Sequence, residues 1–228
     1  MDISVLNTGP FSINTWIVNV CKNKVLVFDP AACSFTRDSG KIVGFLKEKN
    51  LEPAAFLLTH GHFDHIAGTG ICKSVYPDVP LVVHADDLQM VGKNASKAQA
   101  ELLSSMGLEK FLPALENLPD PDVAFSGEPL LSDVIKTSDS ELEDALSGWK
   151  VFHTPGHTEG SVCYYNESEK KLVTGDTIFY HSWGRTDFPG GSESEMMKSL
   201  SRIYTSVPQD VLVFPGHDYA GFPLGENF

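Results

Sequence analysis

The sequence predicts a layered α/β fold, and three observations predict it. Between residues 24 and 83, short β-rich runs alternate with segments of helical periodicity, as expected when strands and helices occupy separate layers. Further β-rich runs recur at 150–153, 161–165, 171–174 and 211–214. Four runs along the chain end in a glycine-containing turn followed by histidine or aspartate.

Residues 3–28 read as three short strands. Asn7-Thr8-Gly9-Pro10 is a turn, and 15–28 reads as a hairpin turned at Cys21-Lys22-Asn23. Over 37–49, Ile42, Val43, Phe45 and Leu46 recur at helical spacing. Pro53 precedes a strand over 54–58, a helix over 66–76 is stopped by Pro77, and 81–83 is a short buried strand. Ser96–Met106 reads as helix, 118–122 as loop and 130–135 as strand, while the acidic run 138–146 is expected to be exposed. After three successive strands over 150–174, the segment 180–191 is a glycine-containing loop with Pro189. Ser192 and Glu195 form a capping box that opens a helix running to about Thr205, before a last buried strand at 211–214.

The chain of 228 residues suits one domain spanning 1–228. No run of apolar residues reaches the length of a membrane span, and the N-terminus shows no secretory leader, so a cytoplasmic protein is expected. A net charge of −13 repels phosphate backbones and anionic membranes, which argues against nucleic acid and membrane partners and for a small-molecule substrate. Cys21, Cys33, Cys72 and Cys163 form no C-x-x-C pair and read as buried, reduced thiols.

The chemistry concentrates in Thr59-His60-Gly61-His62-Phe63-Asp64-His65, which holds three of the eight histidines. Phe152 leads through His153-Thr154-Pro155-Gly156 to His157, Val173 leads through Gly175 to Asp176, and Phe214 leads through Gly216 to His217. Strand ends along one sheet edge are where α/β folds place chemistry. Together, His60, His62, Asp64, His65, His157, Asp176 and His217 supply five imidazoles and two carboxylates. That set suits two adjacent divalent ions with one carboxylate bridging; zinc is favoured, and iron and manganese take the same donors.

T-H-x-H-x-D-H, T-P-G-H-T, G-D and P-G-H, in this order, resemble the metallo-β-lactamase superfamily, with Asp29 at the position of its first acidic residue. The resemblance spans residues 29–217. It implies a four-layer αβ/βα sandwich of two mixed β-sheets flanked by helices. It also implies that His60, His62 and His157 hold one ion, that Asp64, His65 and His217 hold the other, and that Asp176 bridges. A hydroxide held between the ions would be the nucleophile, with Asp64 as a catalytic residue that orients it or takes up a proton. Asp29 and His153 would support ligand loops from behind. His84 is expected to make only a structural hydrogen bond.

Gly184-Arg185-Thr186-Asp187-Phe188-Pro189-Gly190-Gly191 is similar to the glyoxalase II-like branch, which includes hydroxyacylglutathione hydrolases and persulfide dioxygenases. A thioester hydrolase is the leading expectation, with another activated ester or a lactone as related substrates. A mononuclear-iron persulfide dioxygenase using His62, His157 and Asp176 is the alternative. Arg185 and Tyr180 are the candidate substrate contacts, Arg185 because its guanidinium fork suits carboxylates. The C-terminal helical region that holds glutathione in the larger glyoxalase II enzymes has no counterpart in the eleven residues after His217. Conversely, 91 residues separate His65 from His157, and the extended segment 88–148 is expected to cover the active site.

Overall fold

The computed structural model describes residues 1–227. Strands β1 (Ile3–Thr8), β2 (Ile13–Cys21), β3 (Lys24–Phe28), β4 (Glu52–Leu57), β5 (Leu81–His84) and β6 (Val123–Phe125) form one sheet in chain order. The first three are antiparallel, and β3 to β6 run parallel. Strands β7 (Trp149–His153), β8 (Val162–Asn166), β9 (Lys171–Gly175), β10 (Leu212–Pro215) and β11 (Phe222–Pro223) form the second sheet, in which only β9 and β10 are parallel. Both sheets are mixed, and helices cover their outer faces. The fold is the expected four-layer αβ/βα sandwich.

Period-two alternation builds the layers. In β3, Leu26 and Phe28 point inward and join Val151, Tyr164, Val173 and Phe214 of the second sheet in a core between the sheets. Val25 and Val27 point the other way, against α1 (Lys41–Glu48), and share that outer core with Ile66 of α2 (Phe63–Ile66) and Cys72 of α3 (Thr69–Val75). On the far side, Met196, Leu200 and Ile203 of the long last helix (Glu193–Ser206) pack on Cys163, Leu172 and Val213.

Three sequence expectations need correction. Ser96–Met106 is not one helix but α4 (Ala95–Ala98) and α5 (Ala100–Ser105), separated at Gln99. Residues 130–135 are not a strand; α6 (Leu131–Val134) forms there because Leu131 and Ile135, four apart, are buried together. The acidic run is α7 (Ser140–Ser147), capped by the Asp139 carboxylate. Its acids face solvent, but Leu142 and Leu146 are buried between the sheets. The last helix is then α8, capped by Ser192 as its sequence implies. Two short strands, β6 and β11, went unread because two or three residues carry no period. The four cysteines are free, and all but the half-exposed Cys21 are buried.

Candidate metal centre and substrate cavity

The parallel strands aim their C-terminal ends at one place. β4 ends into Thr59-His60-Gly61-His62, and the next turn of backbone is helical rather than loop, so Asp64 and His65 ride on α2. β7, β9 and β10 deliver His157, Asp176 and His217. All seven expected residues meet. His60, His62 and His157 form one group, Asp64, His65 and His217 another, and His60, His65 and Asp176 a third, with ligand atoms inside 4.8 Å in each.

Asp176 spans the groups. Its Oδ1 lies 3.3 Å from His65 Nε2, and its Oδ2 lies 3.5 Å from His157 Nε2 and 3.3 Å from His217 Nε2. Asp64 Oδ2 sits 3.6 Å from His217 Nε2. His60 Nε2, His62 Nε2, His65 Nε2 and Asp176 Oδ1 are buried without hydrogen-bond partners. Orphaned buried donors and acceptors are costly, and four of them converging in one spot fit a set of ligands for divalent cations. Burial, reinforced by neighbouring imidazoles, pushes His60 and His62 well below the ordinary histidine range, leaving neutral rings with lone pairs to give. Burial also acts to raise Asp176, yet His65 and His217 hold its carboxyl well below the usual range.

Outer contacts set each ring's tautomer. The Asp29 carboxylate accepts from the Thr59 amide and hydroxyl, both at 2.8 Å, and faces His65 Nδ1 at 3.0 Å. His157 Nδ1 donates to the Arg185 carbonyl at 2.7 Å, which turns Nε2 toward the centre. Gly184 is required beside it, because a Cβ there would lie 1.9 Å from the Asp176 carbonyl oxygen.

Asp87, which sequence reasoning missed, is wholly buried. Its carboxylate accepts from the amides of Gly61 and Gly160 and the Thr158 hydroxyl, each at 2.7 Å. It therefore ties the His60–His62 loop to the His157 loop. A Cβ on Gly160 would lie 2.6 Å from the Asp87 carboxyl carbon, so that glycine is set by this contact. Gln99 works alongside, accepting from the Phe63 amide at 2.8 Å and donating to the Gly61 carbonyl at 2.9 Å.

Tyr180 and His153 both lie outside the cavity, with different outcomes. Tyr180 packs on His181, Tyr219 and Phe222 and does not line the cavity; its neighbour Phe179 does. His153 stacks on His84 with ring centroids 4.1 Å apart, in a separate group with Asp86, and its Nε2 donates to the Glu159 carbonyl at 2.8 Å, so it lies outside the cavity but supports the loop that carries His157. His84 accepts from the Asp86 amide.

A cavity of about 370 Å³ opens over the centre. Its floor is His62, Asp64, His157, Asp176 and His217; its walls include Phe11, Phe63, Leu102, Met106, Phe179 and Phe188. From the extended 88–148 segment only Leu102 and Met106 reach it, whereas α6 and α7 bury Leu131, Leu142 and Leu146 in the core between the sheets. Arg185 also lines the cavity, but Asp187 accepts from its Nε and Nη2 at 2.7 Å each, and its guanidinium lies 3.8 Å from the Phe188 ring centre.

Fold and site define the class of metal-dependent hydrolases built on this sandwich. The family model for the metallo-β-lactamase superfamily matches residues 8–217, and the chain belongs to that superfamily. It is 30% identical over 209 residues to the probable metallo-hydrolase YqgX of Bacillus subtilis, covering 92% of this chain and 86% of that one. It is 25% identical over 219 residues to a hydroxyacylglutathione hydrolase of Pelagibacter ubique, covering 96% of this chain and 72% of the relative. Among solved structures, the BLEG-1 B3 metallo-β-lactamase superposes with a TM-score of 0.79 at 25% identity, covering 99% of this chain and 95% of that one.

Proposed function

We propose that this protein hydrolyses thioesters of small molecules, using two divalent ions, zinc by preference. The carrying observation is Asp176, whose two oxygens face histidines of different groups at the floor of an apolar cavity. His60, His62 and His157 would hold one ion, Asp64, His65 and His217 the other, and Asp176 both. When bound, such ions bring the pKa of water toward neutrality and offset charge developing on a carbonyl oxygen.

The chain's own residues do the rest. Asp29, Asp87 and Gln99 hold the ligand loops at fixed spacing, so little reorganisation is needed when substrate arrives. Asp64 reaches the cavity floor and is placed to orient water or take up a proton on a carboxylate oxygen. The apolar walls exclude competing water. The relative named as a hydroxyacylglutathione hydrolase supports thioester cleavage as the reaction. The acidic surface supports a small-molecule substrate rather than nucleic acid, and no helix among the described residues is long and apolar enough to cross a membrane. A cytoplasmic setting is part of the proposal.

The test is elemental analysis of protein purified without added metal, followed by thiol release from acyl thioesters. Two zinc ions per chain with thioester turnover is the expected result. One iron per chain, with oxygen uptake on a persulfide and no thioester turnover, would replace this reading with the dioxygenase.

A further inference from the structure

Resting on the hydrolase reading, we propose that the cavity takes thioesters whose acyl group is apolar and uncharged, and that Phe11, Phe63, Leu102 and Met106 form the subsite that holds it. The reaction is R–CO–SR′ plus water giving the carboxylic acid and the thiol: the carbonyl carbon gains an oxygen from water, the C–S bond breaks, and the thiol leaves with a proton.

Phe11 is the first reason. It is 52% exposed, although an aromatic ring gains most when buried. Its backbone is left-handed at φ 60°, and Ser12 after it is left-handed at φ 57°. Two successive non-glycine residues there carry strain that persists only where surrounding structure enforces it, and such strain gathers at ligand sites. Here the Phe11 ring is held edge-on to Phe63 at 5.8 Å and to Phe111 at 5.9 Å between centroids, and it lines the cavity.

The wall opposite the polar floor is the second. Leu102 and Met106 are four residues apart at the end of α5, so they share one face. Methionine adapts to acyl groups of different shape. The cavity is contiguous with the ligand groups, so a carbonyl at the floor places its substituent against this wall.

Charge is the third. Arg185 is the one cation among the lining residues, and both its engaged nitrogens face Asp187. Asp64 and Asp176, on the floor, are committed to the proposed ions, and Asp218 also lines the cavity. The wall formed by Phe11, Phe63, Leu102 and Met106 carries no charge of its own, so a charged acyl substituent would lose its hydration there, whereas a hydrocarbon chain meets matched surface.

The test uses zinc-loaded protein and thioesters of one small uncharged thiol, N-acetylcysteamine, with straight acyl chains of increasing length, beside S-lactoylglutathione. We expect kcat/KM to rise about three- to fourfold per added methylene until the subsite is filled. Phe11→Asn retains a residue that tolerates left-handed backbone but removes the ring, and Met106→Glu puts a charge on the wall. Both flatten the chain-length series, whereas Phe11→Trp restores it. Calorimetric affinities of straight-chain carboxylates for the zinc-loaded protein are expected to rise with chain length in the same way. A flat or falling series, or a preference for S-lactoylglutathione over every longer acyl chain, overturns the subsite. If no thioester turns over, the hydrolase reading falls by itself. The affinity series then decides the subsite: a rise that Phe11→Asn abolishes upholds it, and anything else overturns it.

Discussion

The carboxylate of Asp87 accepts the amide hydrogen of Gly61 at 2.7 Å, between two residues that point their imidazoles into the metal centre. Its other bonds, to Thr158 and Gly160, fix the turn that directly follows His157. One buried side chain thus sets the spacing between the two halves of the first ligand group. Asp87→Ala would leave the amides of Gly61 and Gly160 without an acceptor. Weakened zinc binding of about 10- to 100-fold is expected, the scale of outer contacts that orient ligands. Competition with a chromophoric chelator measures it. Asp87→Asn, which keeps one acceptor oxygen, should fall between the two, and an affinity equal to the parent for Asp87→Ala would refute the role.

Removing the carboxylate proposed to be shared should split the proposed pair of ions. For Asp176→Ala, zinc content is expected to drop from two per chain toward one, with thioester turnover reduced by two orders of magnitude or more. Elemental analysis beside initial rates gives both numbers. Retention of two tightly held ions would contradict the shared role of this carboxylate.

Arg185 is neutralised by an exposed partner, so its charge can be released without disturbing the core. Asp187→Asn should leave stability nearly unchanged, as expected for a solvent-exposed pair. It should also raise kcat/KM for S-lactoylglutathione several-fold, and the gain should shrink with added salt. A gain unaffected by salt would point to loop rearrangement rather than charge.

Trp149 is wholly buried between the sheets, 5.7 Å from the Phe28 ring centre, and its indole nitrogen has no hydrogen-bond partner. Trp149→Ala is expected to destabilise by about 3–5 kcal/mol. Trp149→Phe should cost much less, because the unpartnered N–H is lost with the ring area. Urea denaturation of both variants decides this, and equal losses would show that the N–H is satisfied in solution.

The thiols report packing directly. Burial pushes Cys72 up to about 12 and Cys163 up to about 11, so almost no thiolate exists on either at pH 8. The half-exposed Cys21 should alkylate first with iodoacetamide, and Cys72 and Cys163 only in denaturant. Peptide mapping after a short exposure checks the order.

What could be read from residue order was whatever repeats locally. Val25–Phe28 alternates between two buried faces, and the strand-to-glycine-to-ligand pattern recurs, so the sheets and all seven ligand candidates were legible. Helices α6 and α7 were not, since each buries only a Leu–Leu or Leu–Ile pair four residues apart. Asp87 looked like half of an acidic dipeptide, and only the approach of residues 158–160 makes it interior. Phe11 followed a turn signal, and nothing beside it in the chain announces the cavity wall that Leu102 and Met106 complete.

His60, His62, Asp64 and His65 lie within six residues, whereas His157, Asp176 and His217 come from distant parts of the chain. An unfolded chain therefore already carries a short, dense chelating peptide. Ions held there lower the free energy of the unfolded state, so bound zinc should raise the melting temperature by less than its affinity for the native protein implies. The same peptide turns early metal into a kinetic trap, because an ion captured before the sheets close must be released for the remaining ligands to be placed. Refolding with chelator present, followed by loading, should recover more active protein than refolding in excess zinc.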